Sequence, residues 1–275
     1  MVYHNGHRLF LQAFVSKRLI KEKEAKDLYM KVCNICEADG NPDEFLDFIS
    51  LINKQLESLF MEIRRGCAED TGHVYFSLVN KAEDEHSKLA TEYQAHEIEL
   101  IKLALNLIIE SQNGSVSSLD LVNLGMDLTK RIPAQASEEL IMKLVEDGWL
   151  TEKDGKVFFG PRTTIELGQY LRNKYKEQIG ECPLCHDFVV MGDICEECDV
   201  KLHKYCAALS FQKLPANKRK CPKCKTEWTR TIIKLSKPNN NNNSINLEET
   251  VVNHRNVPTS SQQPSTSSGK KRARR

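Results

Sequence analysis

The chain has 275 residues, with 39 Lys plus Arg against 38 Asp plus Glu and an apolar share of 40%, enough for two or three small cores rather than one large one. No apolar run is long enough to span a bilayer and the opening lacks a signal-peptide core, so a soluble intracellular protein without membrane contact is expected. The near-neutral total hides a division: residues 1–180 carry seven more acidic than basic side chains, 181–230 two more basic, and the remainder six more basic, so only the tail should be drawn to polyanions.

Residues 1–80 read as helix, helix, helix, hairpin. Leu9, Phe10, Ala13 and Phe14 recur at helical spacing, and Ala25, Leu28, Val32 and Ile35 or Cys36 repeat the pattern. Asn41 followed by Pro42, Asp43 and Glu44 is a helix start, with a capping side chain, a ring that suits the first turn and acids at the positive end of the dipole. Phe45, Phe48, Ile49 and Ile52 supply that helix's buried face. Two strand-like runs follow, Leu59 to Ile63 and Val74 to Leu78, around a loop containing Gly66 and Gly72. The order suits a winged helix. Cys33 and Cys36 form a Cys-x-x-Cys within a helix, with only Cys67 and His73 as distant candidates for a second pair, so two buried thiols are expected there rather than a metal site.

After a charged stretch from Lys81 to Lys88, residues 91–178 repeat the plan. Ile98, Ile101, Leu105 and Ile108 mark a long amphipathic helix ended by Asn113-Gly114, and Leu119, Val122 and Leu124 mark a short one. Beyond Pro133, Ser137 reads as the cap of a helix with Glu138 and Glu139 in its first turn and Gly148 past its end. Trp149 to Thr151, the turn Asp154-Gly155 and Val157 to Phe159 form a hairpin signature, and Ile165, Leu167, Tyr170 and Leu171 predict one more helix. Winged helices often lay their third helix in the DNA major groove, which demands Lys and Arg. Here those helices carry Asp43, Glu44 and Asp47 against Lys54, and Glu138, Glu139, Glu146 and Asp147 against Lys143. A duplex would repel them, so protein–protein contact is expected.

Residues 181–230 are dominated by Cys182, Cys185, Cys195, Cys198, His203, Cys206, Cys221 and Cys224. A two-residue gap lets both side chains of a pair reach one tetrahedral ion, and four such pairs make two sites, expected to hold zinc. Three couplings are open. The interleaved one is favoured, because segments this short need cross-linking: Cys182, Cys185, His203 and Cys206 for one ion, and Cys195, Cys198, Cys221 and Cys224 for the other. Each set is complete, which makes the sites structural rather than hydrolytic. No Gly-rich phosphate loop or isolated nucleophile offers another active site. From Pro238 onward, Asn, Ser, Thr, Gln and Pro dominate, so residues 231–275 are expected to be a disordered tail. Lys270, Lys271, Arg272, Arg274 and Arg275 form a candidate nuclear localisation signal or nucleic-acid contact.

The four-Cys, His, three-Cys ligand order, with Cys195-Glu196-Glu197-Cys198, Lys201-Leu202-His203 and Cys221-Pro222-Lys223-Cys224 followed by Lys225 and Trp228, resembles the variant RING of the non-SMC element one family of chromosome-maintenance subunits. The opening Gly6-His7-Arg8-Leu9-Phe10-Leu11-Gln12 looks like that family's start. The resemblance covers about residues 5–230. It implies a mainly α chain with small β-hairpins: two tandem winged helices, a cross-brace RING-like zinc module and a tail. It further implies a nuclear, chromosome-associated ubiquitin ligase subunit acting in DNA repair and recombination, with a MAGE-like winged-helix partner, a kleisin and an SMC complex. Leu184 and Pro222 would be apolar contacts for a ubiquitin-conjugating enzyme, and Lys225 the basic residue bridging enzyme and ubiquitin. Many RINGs place a docking Trp four residues after the sixth ligand, where this chain has Ser210 followed by Phe211. That departure favours weak or partner-dependent activity, or a purely structural zinc module. The PHD finger, a histone-tail reader, shares the ligand order and the gap between Cys198 and His203, but usually carries an aromatic two residues before the seventh ligand, where Arg219 stands.

Overall fold

The structure is a computed structural model that describes residues 3–81, 93–128, 130–235 and 247–248. The charged linker beyond Lys81 and the basic cluster Lys270, Lys271, Arg272, Arg274 and Arg275 lie outside the described residues, as does nearly all of the tail.

The first unit runs α1 (Asn5–Lys17), β1 (Leu19–Lys21), α2 (Glu22–Ile35), α3 (Phe45–Leu56), β2 (Met61–Cys67) and β3 (Val74–Asn80), with sheet order β1-β3-β2. This is winged-helix topology. Phe10 and Phe14 of α1, Tyr29 of α2 and Phe45 and Phe48 of α3 are buried together, and Phe10 meets Phe48 edge-on at 5.2 Å, a favoured aromatic geometry. Asn41 Oδ1 accepts from Asp43 N at 3.1 Å and caps a 3-10 turn, Pro42–Glu44, that runs into α3.

Several local expectations need correction. Glu57–Leu59 is a 3-10 turn and Phe60 is left-handed at φ 54°, so the first hairpin strand starts only at Met61 and continues to Cys67. Gly66 therefore lies in a strand rather than the loop. His7, not Leu9, is buried on α1, and Ile35 is exposed at the end of α2, where the chain leaves its helical register.

The second unit repeats the order: α4 (Ala95–Glu110), β4 (Val116–Ser117), α5 (Ser118–Leu124), α6 (Ala134–Glu146), β5 (Leu150–Lys153) and β6 (Lys156–Phe159), with sheet order β4-β6-β5. Asp154 and Gly155 both have positive φ, at 52° and 69°, as a two-residue primed turn requires. Leu121 is the core residue of α5 while Leu119 is exposed. Ser137 is a buried residue inside α6, which begins at Ala134 after Pro133, so it is not the cap; among the described residues its Oγ has no hydrogen-bond partner. A π-helical turn, Thr163–Leu167, leads into α7 (Gly168–Lys174).

That π turn is the joint between the winged helices. Arg64 Nη1 donates to Ile165 O at 3.1 Å and Thr164 Oγ1 lies 3.3 Å from Cys67 O. A Cβ at Gly66 would stand 2.4 Å from Ile165 Cγ1, so only glycine lets strand and turn approach this closely. Glu166 is buried, ion-paired to Arg162 Nε at 2.7 Å and 3.0 Å from Ser77 Oγ of β3. The Arg162 guanidinium lies 4.1 Å over the Trp149 ring.

Candidate metal centre

The zinc-type module holds β7 (Gly180–Glu181), β8 (Phe188–Val189), β9 (Asp193–Ile194), β10 (Lys201–Leu202) and α8 (Lys204–Phe211). Phe188 and Val190 are buried in the core of the second winged helix, and Arg172 of α7 pairs with Asp187.

Three Cys-x-x-Cys turns share one construction. The amide of His186 donates to Cys182 O at 2.8 Å, that of Asp199 to Cys195 O at 3.1 Å, and that of Lys225 to Cys221 O at 3.0 Å. Each donor follows a pair's second cysteine and is left-handed, at φ 59°, 54° and 65°. Bond and reversal fold each pair so that both thiols face one point. The fourth pair comes from a helix start: His203 precedes α8, its carbonyl accepts from Ala207 N at 2.9 Å, and Cys206 follows one turn on.

These pairs converge in two clusters. Cys182, Cys185, His203 and Cys206 form one, and Cys195, Cys198, Cys221 and Cys224 the other, with the candidate ligand atoms of each within 4.8 Å of one another. The pairs are interleaved. Three sulfurs with one imidazole nitrogen, and four sulfurs, are donor sets that fit tetrahedral, thiophilic ions. His203 Nδ1 faces Cys185 Sγ at 3.3 Å and Cys206 Sγ at 3.8 Å, while Nε2 faces Phe188 O at 2.9 Å. Nδ1 is thus the atom placed to ligate an ion, which would leave Nε2–H as the outward donor.

The electrostatics suit cations. Sharing a proton with Cys206 holds the Cys182 thiol well below its usual range, at about 3, and pushes Cys206 up. Burial lowers the pKa of His203, but hydrogen bonds to Cys182 and Glu69 outweigh it and raise it to about 11. The Thr226 hydroxyl, 2.8 Å from Cys224 Sγ, brings that thiol down to about 6. Binding a cation displaces the protons these groups hold.

The residues predicted to dock a conjugating enzyme fall on different pairs. Leu184 is half-buried against the module's core, in the turn of the first cluster. Pro222 and Lys225 share the last turn, where Lys225 Nζ donates to Pro222 O at 2.8 Å; the left-handed backbone of Lys225 is part of the metal-binding turn itself. Ser210 is exposed, whereas Phe211 is buried against Trp228, the two rings 5.8 Å apart. Leu209, which the spacing rule missed, is the exposed large apolar side chain of α8. Arg219 turns its Nε to Leu214 O at 3.1 Å. Cys33 is buried in the first winged helix and Cys36 half-exposed. Among the described residues, neither joins Cys67 or His73 in a cluster that could hold a metal. Sequence reasoning also passed over Glu69, whose carboxylate reaches the first cluster.

Fold and clusters together define a tandem winged-helix protein with a C-terminal RING-like module. The family described as Nse1 non-SMC component of SMC5-6 complex matches residues 7–123, and the RING-like domain family matches residues 182–224. The human non-structural maintenance of chromosomes element 1 homolog is 35% identical over 233 residues, 84% of this chain and 87% of that protein. The Schizosaccharomyces pombe non-structural maintenance of chromosomes element 1 is 27% identical over 230 residues, 82% and 93% respectively. A chain from the solved Nse1-Nse3-Nse4 complex superposes with a TM-score of 0.76 at 30% identity, covering 84% of this chain and 100% of that one. The chain belongs to the Nse1 family.

Proposed function

We propose that this chain is the RING-bearing subunit of an SMC5-6-type chromosome-maintenance complex acting in DNA repair and recombination in the nucleus, and that it promotes ubiquitin transfer when its partners are bound. The observation that carries this reading is the pair of closed, interleaved Cys/His clusters on a chain that matches the Nse1-Nse3-Nse4 complex structure over 84% of its length. Two zinc ions would cross-brace the module. They would supply no reacting water, since every position is taken by a side chain, so the module works by holding a ubiquitin-conjugating enzyme and its thioester in a reactive pose. Leu184, Pro222 and Lys225 are the residues proposed to touch that enzyme, with Leu209 beside Ser210 as an added apolar contact.

The winged helices are proposed to bind a MAGE-like Nse3-type subunit and a kleisin of Nse4 type. Exposed Leu46 on α3 and Met142 on α6 stand among the acids of those helices, which favours protein over DNA as their partner. Any nucleic-acid contact or nuclear import signal is assigned to the basic tail.

The test is ubiquitin discharge from a charged conjugating enzyme, with the chain alone and with its MAGE-like partner, comparing wild type, Leu184→Ala and Lys225→Ala at verified zinc content. Partner-dependent discharge that falls at least tenfold in both variants supports the reading. Background discharge across a panel of conjugating enzymes sinks it and leaves the second reading, a structural zinc module, which the exposed Ser210 and buried Phe211 favour.

A further inference from the structure

We propose that Glu69, on the wing of the first winged helix, is the outer-sphere positioning residue of the first metal site, so that metal binding there and seating of that wing on the zinc module stabilise one another. The inference rests on reading Cys182, Cys185, His203 and Cys206 as metal ligands.

β2 ends at Cys67, and the turn beyond it holds Ala68 and Glu69, both buried. Glu69 reaches into the zinc module. Glu69 Oε1 accepts from Val190 N at 2.8 Å, and Oε2 accepts from Met191 N at 3.1 Å. Oε1 also lies 3.4 Å from His203 Nε2, the nitrogen that faces away from the thiols. Val190 and Met191 belong to the segment joining the first two cysteine pairs, so one carboxylate fixes both a ligand's ring and the loop behind it. A buried carboxylate is costly unless its lone pairs are satisfied; here they are satisfied entirely by the module it docks against.

A second contact reaches the same ring. Tyr205 stacks on His203, with centroids 5.0 Å apart and planes 20° apart. Its other neighbour is the wing tip, where a Cβ on Gly72 would fall 2.6 Å from Tyr205 Cγ. The imidazole is thus held at its outer nitrogen by Phe188 O at 2.9 Å and the Glu69 carboxylate at 3.4 Å together, and by an aromatic ring against which the wing tip packs. The second cluster has a local equivalent: its hydroxyl partner, Thr226, comes from the module. Carboxylate–histidine–metal arrangements fix the tautomer and orientation of the ligand, and losing the outer partner typically weakens metal binding by about ten- to a hundredfold.

The test uses the full chain as wild type, Glu69→Gln, Glu69→Asp and Thr226→Val, loaded with zinc for release kinetics and with cobalt for spectroscopy. Sulfur-only and mixed sulfur–nitrogen cobalt sites differ in their absorption bands, which assigns each release phase to a cluster. Glu69→Gln is expected to speed release from the mixed site about ten- to a hundredfold while leaving the four-sulfur site unchanged. Glu69→Asp, which keeps the charge, should lie in between, and Thr226→Val should speed only the four-sulfur site. In wild type, removing the first ion should raise hydrogen exchange across residues 68–73. If wild type binds fewer than two ions, the metal assignment itself fails. If two bind, but Glu69→Gln releases both at wild-type rates or speeds both equally, Glu69 is only an interdomain tether and the proposal is overturned.

Discussion

The two winged helices share an order of elements and a sheet topology, yet their wings do opposite things. The second wing is short: β5 and β6 meet at Asp154-Gly155, and a Cβ added at Gly155 would meet nothing within 4 Å. The first is built from seven-residue strands whose flank packs on the π turn of the second unit and whose tip enters the zinc module. What decides whether a wing is a free edge or an internal fastener is how far its strands outrun their own core. Once they do, the residues beyond must be chosen for someone else's interior, which is why Gly66, Glu69 and Gly72 have no counterpart role in the second wing.

The largest effect that sharpens this contrast should come from metal removal. Structural zinc ligation supplies on the order of 10 kcal/mol per ion, so chelation should unfold the zinc module, seen as loss of near-ultraviolet circular dichroism. Hydrogen exchange should then rise at the first wing and stay low at the second. Equal protection of both wings after chelation would break the comparison.

Next in size is the joint. Glu166→Ala removes the carboxylate facing the buried Arg162 guanidinium and should destabilise the protein by about 3–5 kcal/mol in denaturant titration. A loss below about 1 kcal/mol would mean that water reaches the pair.

The wings can be compared directly by one substitution made in each. Gly72 and Gly155 share φ near +69°, so alanine at either costs about 1 kcal/mol of backbone strain. Gly72→Ala must also displace the Tyr205 ring and should lose clearly more, with looser hydrogen exchange at α8. Matching thermal shifts for the two variants would show that Tyr205 moves aside freely.

The mildest contrast is a pH slope. His7 Nδ1 accepts from His4 N at 3.1 Å at the start of α1, while Gln94 and Glu97 play the corresponding parts before α4. Burial, with His4 nearby, lowers the His7 pKa from 6.5 to about 4. The unfolded chain therefore takes up that proton first, and stability should fall progressively as pH drops from about 6.5 to 4, with no contribution lost above that window. His7→Gln should flatten the slope in a urea titration series, and an unchanged slope would assign it elsewhere.

What could be read in advance follows from how local each signal is. The metal-binding turns are written in five consecutive residues apiece, and the second hairpin in Asp154-Gly155, so both are legible from the chain. β1 and β4 are three and two residues long and exist only because a later strand pairs with them, as Leu19 does with Ser77; no local periodicity can announce that. Ser137 has a cap's chemistry but sits inside a helix that Pro133 starts earlier. The choice of Leu121 over Leu119 as the core residue of α5 depends on the direction of that helix against its neighbours. Glu69 looks like any loop acid until the module that surrounds it is in place.

The reach of that carboxylate also bears on how the protein is made. Glu69 and its partner Val190 are separated by 121 positions, so during synthesis the first winged helix is complete long before anything can receive its wing. Through that interval the nascent chain carries a finished domain with an unsheltered tip, and contacts so distant in sequence form late. Cys206, the last ligand of the first cluster to leave the ribosome, therefore closes more than that cluster. Its arrival determines when the oldest part of the chain stops being an independent object.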